Sequence, residues 1–268
     1  MNARNVQIPL PETTMANTIE LDTRIDFGLS NILVITSYLL IVLKIGPSYM
    51  KSRPAFQLKN FIIWYNIYQI IACIYLCTRI YLIDLPSFDY GACVDVDGLG
   101  IKVEIDFDHI TNFVFWLKVT ELTETIVFVL RKKQSQVTFL HVFHHSSMVF
   151  MSYSFGTVYR TSSAMFPLFI NCCVHIVMYT YYLMAAVLPR NVVAKLTPFK
   201  KAITTMQMVQ FTIVLLQVVV TKMNGCKIPE LLLAVYITSI AVIFYGFYDF
   251  YKKSYIEAQN KINNKKPT

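Results

Sequence analysis

The chain reads as an all-α integral membrane protein with seven transmembrane helices, and three observations carry that reading. Of its 268 residues, 55% are hydrophobic and only 15% charged, with a mean hydropathy of +0.49; a soluble domain carries about a quarter charged residues. The apolar residues come in long runs, seven of them about as long as the roughly 20 helical residues that cross a hydrocarbon core. They lie near 27–45, 60–83, 110–130, 137–155, 165–187, 201–221 and 230–251. Lys and Arg, finally, collect in alternate loops, as they do in a chain threaded back and forth. Backbone polar groups in lipid must be satisfied internally, so helices are the expected spanning elements.

A net charge of +8 is compatible with nucleic acid binding, but its distribution points to topology instead and no nucleic acid partner is expected. Lys51, Arg53 and Lys59 follow the first run, Arg131 to Lys133 the third, Arg190, Lys195, Lys200 and Lys201 the fifth, and Lys252, Lys253, Lys261, Lys265 and Lys266 the seventh. The opposite side is poor in basic residues and its 84–109 loop is acidic. The positive-inside rule then places the C-terminus in the cytosol and the N-terminus outside or in a lumen. Residues 1–26 lack the apolar core of a signal peptide and read as a short lumenal tail. Residues 27–251 form the seven-helix domain, and 252–268 a basic cytosolic tail. Its ending, Lys-Lys-Pro-Thr, resembles the dilysine retrieval signal of endoplasmic reticulum membrane proteins, a receptor-read address.

Of six cysteines, Cys73, Cys77, Cys172 and Cys173 lie in spans and read as small core residues. Cys93 and Cys226 fall in loops on the oxidising side and are expected to form a disulfide, the alternative being two free thiols.

The first span carries no internal charge and looks peripheral. A Gly46-Pro47 to Arg53-Pro54 turn leads into the second, with Tyr65 and Asn66 near its cytosolic end. The third holds Lys118, Glu121 and Glu124 in its interior; Lys118, Glu121 and Thr125 are spaced for one helix face. The fourth opens with His141, His144 and His145, again one face. The fifth carries Asn171, His175, Met178, Tyr179 and Tyr182 as a polar stripe, and the sixth Thr204, Gln207 and Gln210. Aromatic residues at the end of the seventh read as an interfacial belt. Ionisable groups at membrane depth are expensive and functional by default. Such faces must turn inward to a shared cavity, polar at its cytosolic mouth and apolar deeper, which suits an amphiphile with a charged head and a long tail. A buried ion pair that only fixes helix packing is the bland alternative for Lys118 and Glu121, and interhelical hydrogen bonding for the glutamines.

In these positions the chain resembles the very-long-chain fatty acid elongases, the ELO family of condensing enzymes, from about residue 27 to 255. His141-Val-Phe-His144-His145 fits the family's HxxHH box. Lys118-x-x-Glu121-x-x-Glu124-Thr125 fits its KxxExxDT box except at Glu124, where the family usually has Asp. Asn171-x-x-x-His175-x-x-Met178-Tyr179-x-Tyr181-Tyr182 and Thr204-x-x-Gln207-x-x-Gln210-Phe211 fit NxxxHxxMYxYY and TxxQxxQF, and Gly46-Pro47, Arg53-Pro54 and Tyr65-Asn66 fit the first loop.

The resemblance implies that helices 2–7 form a six-helix barrel around an acyl tunnel. The implied reaction condenses an acyl-CoA with malonyl-CoA to 3-oxoacyl-CoA, CoA and carbon dioxide, with neither cofactor nor metal. His144 is then the residue that takes the acyl group; His145, His175 and Asn171 stabilise negative charge, and His141 and Glu121 orient imidazoles. Lys118, Glu121, Glu124, Gln207, Tyr179 and Tyr182 belong to the substrate pocket. The implied setting is the endoplasmic reticulum membrane beside the ketoreductase, dehydratase and enoyl reductase of the cycle, and a homo-oligomer is compatible with it. Three rivals remain: a di-iron desaturase, for which five histidines are few, a seven-span receptor and a transporter.

Overall fold

A computed structural model describes residues 28–257; the expected tail 1–26 and the Lys265–Lys266 signal lie outside them. The helices are α1 (Gly28–Met50), α2 (Lys59–Leu82), α3 (Ile101–Leu130), α4 (Phe139–Thr157), α5 (Met165–Val187), the short α6 (Arg190–Lys195), α7 (Thr197–Met223) and α8 (Glu230–Tyr251). No strand occurs among the described residues; one isolated bridge pairs Asp95 with Thr161.

Local sequence fixes several boundaries. The Thr138 hydroxyl accepts from His141 N at 3.2 Å and so caps α4 just ahead of its histidines. Pro198 sits in the first turn of α7, where a missing N–H costs nothing. Helix α3 begins at Ile101, well before the run expected near 110. Its extra turns are acidic, and each acid has a partner: Glu104 accepts from Gly98 N at 2.9 Å, Asp106 pairs with Arg79 at 2.6 Å, and Asp108 pairs with Arg160.

Five helices, α1, α2, α5, α7 and α8, are long and apolar enough to cross a membrane. Seven were expected, and α3 and α4 fall short for one reason. Helix α3 contains Lys102, Glu104, Asp106, Asp108, Lys118, Glu121 and Glu124, and α4 contains three histidines and several serines. Hydropathy registers what a side chain is and not which way it faces. The facing is inverted relative to a soluble protein: Trp64, Ile71, Trp116 and Leu216 are exposed, whereas Gln69, Lys118, Glu121, His145 and His175 are buried. Lipid favours that inversion, and the chain is a multi-pass membrane protein.

The contacting pairs run α2–α3, α3–α4, α4–α8, α8–α7, α7–α5 and α5–α2, so the order of neighbours closes on itself, with α1 outside against α3. Gly246 helps the α4–α8 join. A Cβ there would stand 2.6 Å from Leu140 Cδ1, so any larger residue would require the Leu140 side chain to move. At one end the loop after α2 folds back over the bundle, with Val96 N donating to Arg160 O (2.9 Å) and Ser162 N to Val94 O (2.9 Å). There Cys93 and Cys226, 133 residues apart, are joined, with Cα atoms 5.8 Å apart. The bond ties this loop to the α7–α8 turn.

Digestion without reductant, followed by mass spectrometry, should yield a linked Cys93–Cys226 peptide, and replacing both by Ser should destabilise the bundle by about 2–4 kcal/mol. Recovery of both as alkylated thiols would show that the loop is held by hydrogen bonds alone.

Candidate active site

The Lys118–Glu121–Glu124 spacing puts three charged groups on the inner side of α3, and two clusters grow from them. In the first, Lys118 Nζ donates to Glu121 Oε1 at 2.8 Å and to Asn171 Oδ1 of α5 at 3.1 Å. His175 Nδ1, one turn beyond Asn171, lies 3.5 Å from the same Glu121 oxygen, an ion-pair distance without hydrogen-bond geometry. Breaking such a buried pair by removing one partner costs about 3–5 kcal/mol, because the other charge is stranded. Glu121 Oε2 is buried and has no hydrogen-bond partner among the described residues, which leaves it one open acceptor.

The second cluster centres on Glu124. Its Oε1 accepts from the Tyr179 hydroxyl at 2.6 Å and the Tyr65 hydroxyl at 3.2 Å, and its Oε2 lies 3.6 Å from His145 Nε2. The fully buried Gln69 donates to the Tyr65 hydroxyl (2.8 Å) and to Thr120 Oγ1 (3.3 Å), bracing α2 against α3. The His145 ring lies 4.3 Å from the tilted His141 ring and meets His144 edge-on at 5.2 Å, between centroids. His175 and Tyr179, 5.5 Å between ring centroids, join the two clusters along α5.

His141 Nε2 and His145 Nδ1 are buried without hydrogen-bond partners among the described residues. Glu124, His141 and His145 offer ligand atoms that all lie within 4.8 Å of one another, a two-imidazole, one-carboxylate set that could hold a transition-metal ion. Their donors suit a metal chemically, although Glu124 Oε1 is already engaged by two tyrosine hydroxyls.

Directly beside the first cluster opens a cavity with about 1160 Å³ of empty volume. Lys118, Asn171 and Met148 line its near end, and Thr221, Ile228 and Leu232 its far end, next to the disulfide. From Gln210 to Thr221, both lining residues on α7, the helical rise amounts to about 16 Å. The lining is chiefly apolar, so the space is long, greasy and headed by charge.

The two clusters gather Lys118, Glu121, Glu124, His141, His145, Asn171, His175 and Tyr179. His144 is half-buried on α4 and shares a helix face with Met148 and Met151, which line the cavity at i+4 and i+7. Two expected pocket residues stand apart. Tyr182 is 43% exposed with its ring 6.2 Å from Tyr179, and the Gln207 amide donates to Met178 Sδ at 3.5 Å, a weak acceptor. Thr125 does not extend the Lys118–Glu121 face but bonds the Tyr38 hydroxyl of α1 at 2.8 Å. Sequence reasoning gave Tyr65 no role and passed over Gln69. The available signal was their i, i+4 spacing in an otherwise apolar span.

The ELO family model, described as the GNS1/SUR4 family, matches residues 28–263. The chain is 35% identical over 193 residues to very long chain fatty acid elongase F of Drosophila simulans, covering 70% of this chain and 72% of that protein. It is 32% identical over 230 residues to very long chain fatty acid elongase 7 of Rattus norvegicus, covering 85% and 81%. To very long chain fatty acid elongase 1 of Mus musculus it is 32% identical over 185 residues, covering 69% and 66%. With most of its length matched by the family model, and with the motif residues of α3, α4 and α5 meeting beside one cavity, the chain belongs to the ELO (GNS1/SUR4) family.

Proposed function

We propose that the chain is a fatty acid elongase that condenses a long-chain acyl-CoA with malonyl-CoA to 3-oxoacyl-CoA, CoA and carbon dioxide. The observation that carries this reading is the charged and imidazole cluster at the head of a long apolar cavity. Such a space takes an acyl tail, and its head takes the thioester. In this reading seven helices span the endoplasmic reticulum membrane, with the closed order of α2, α3, α4, α8, α7 and α5 as a six-helix barrel. The Arg131–Lys133 end is cytosolic and the disulfide end lumenal.

The neutral imidazole of His144 attacks the thioester carbonyl, and the C–S bond breaks. The CoA thiolate leaves and takes up a proton, and the acyl group rests on the ring. Loss of carbon dioxide from malonyl-CoA leaves an enolate whose carbon attacks the acyl-imidazole, forming the new C–C bond and freeing His144. Exclusion of water from the cavity sharpens the electrostatics that act on developing charge. Lys118, positioned by Glu121 and Asn171, faces the cavity and offers its positive charge to the thioester or enolate oxygen. His175, held near Glu121, supports the same charge from the other side. Glu124 orients His145 and Tyr179 and so fixes the histidine box against α3 and α5.

A second reading is favoured by one observation only, the metal-competent Glu124, His141 and His145 set. Elemental analysis separates the two. Condensation in this account survives exhaustive chelation with undiminished rate, whereas stoichiometric iron or zinc whose removal abolishes activity would favour metal chemistry at the histidine box.

His144→Ala should lower condensation on the order of 10³-fold or more without loss of folded protein. Rates near wild type in that variant would remove His144 from the mechanism. At the second cluster, Glu124→Ala strands two tyrosine hydroxyls and should cost about 1–3 kcal/mol for each group left unpaired. Glu124→Asp should keep the fold and shift the rate by no more than about tenfold; a thermal-melt series with parallel turnover measurements reads both effects.

A further inference from the structure

Far from the charged clusters the cavity has a second polar feature, and plain hydrocarbon does not account for it. Gln217 and Thr221 line the far end of the cavity and are each 2% exposed. They stand one turn apart on α7 and therefore on one face. The Gln217 amide nitrogen donates to the Ser163 carbonyl oxygen at 3.1 Å. That bond fixes the orientation of the amide, since a flipped carboxamide would set two acceptors against each other. Gln217 Oε1 then points elsewhere, and neither it nor Thr221 Oγ1 has a hydrogen-bond partner among the described residues.

The neighbouring polar groups are already engaged. The Tyr159 hydroxyl lies 2.7 Å from Cys226 Sγ and 3.3 Å from Cys93 Sγ, and accepts from Ser163 Oγ at 3.2 Å. Ser163 Oγ also meets Thr161 Oγ1 at 2.8 Å. So, among the described residues, the amide oxygen and the threonine hydroxyl are the fully buried oxygens of the cavity lining left without a partner, a pure acceptor beside a group that both donates and accepts. Buried polar groups are ordinarily paired, and a methyl-ended alkyl chain offers these two nothing. A hydroxyl on the chain answers both, donating to Gln217 Oε1 and accepting from Thr221 Oγ1.

We propose that this pair recognises a hydroxyl in the distal part of the acyl chain, so that the substrate class includes hydroxylated long-chain acyl-CoAs. The proposal rests on the elongase reading for the position of the acyl head. Because the head is fixed at His144 and the pair is fixed on α7, the favoured hydroxyl position is set by its distance from the thioester and not from the methyl end. Ser163, which holds Gln217 from the 3-10 turn leading into α5, and Asn171 of α5, which holds Lys118, are eight residues apart, or about 12 Å of helical rise.

The experiment uses the purified full-length protein in nanodiscs with labelled malonyl-CoA and acyl-CoAs of several lengths, each unsubstituted or carrying one hydroxyl at successive distal carbons. The expected result is a kcat/KM ratio of hydroxylated to unsubstituted chain of about fivefold or more at one position. That position should keep its count from the thioester as the chain is lengthened. In the Gln217→Leu, Thr221→Val double variant the ratio should fall below one; read within each protein, it does not depend on the amount folded. A wild-type ratio at or below one at every position overturns the proposal and leaves a buried water as the occupant of the pair, and so does a ratio that the double variant leaves unchanged. Equilibrium displacement of a fluorescent fatty acid by hydroxylated and unsubstituted fatty acids gives the same comparison without turnover. Absence of condensation with every acyl-CoA would count against the elongase reading, while the displacement ratio would still decide for or against the hydroxyl site.

Discussion

A lysine and a glutamate on the middle turns of a helix within a membrane-protein bundle must be turned inward and paired, and the architecture is built around meeting that constraint. Lys118 and Glu121 neutralise each other at 2.8 Å, and Asn171 and His175 of α5 complete their surroundings. Glu124 repeats the solution one turn on, with hydroxyls from α2 and α5 and an imidazole from α4. Three helices, α2, α4 and α5, thus supply partners to one face of α3. Packing of apolar helices in lipid has no hydrophobic drive of its own, so polar contacts and close approach decide which helices meet. The closed order of neighbours follows from satisfying the charges inside it.

The same arrangement separates two environments along one axis. At the Lys118 end the cavity meets fixed charges and imidazoles; beyond it the lining turns to Val114, Phe155, Val214 and Leu232. A thioester bound at the boundary would be held in place by its tail, and its reacting carbon would lie where charge stabilisation is already arranged. Orientation and electrostatics are then provided before reaction begins, and little reorganisation remains. The disulfide at the other end pins the loop that covers the bundle there.

Much of this was legible in the amino-acid sequence because lipid imposes simple rules. Apolar runs gave the helices, and the fifth and seventh runs match α5 and α8 as observed. The polar stripes on α3, α4 and α5 could be read as inward faces, since no other place exists for Asn171 or His175. What could not be read was which partner each group finds. Thr125 shares the spacing of Lys118 and Glu121 yet bonds Tyr38, because helix periodicity defines a direction but not the neighbour lying along it. Gln69 drew no attention in the sequence, because nothing in its spacing shows that it donates to the Tyr65 hydroxyl and to Thr120 of α3. In α3 and α4 the charged residues and histidines that gather at the site also lower the apolar content by which spans are recognised.

The account turns on an acyl group passing through an imidazole beside these clusters. Intact-protein mass spectrometry after incubation with acyl-CoA alone, with no malonyl-CoA, addresses it directly. The mass should rise by one acyl group, peptide mapping should place it on His144, and malonyl-CoA should discharge it. An adduct on Cys73, the buried thiol of α2, or a protein that stays unmodified while still condensing, would contradict the account.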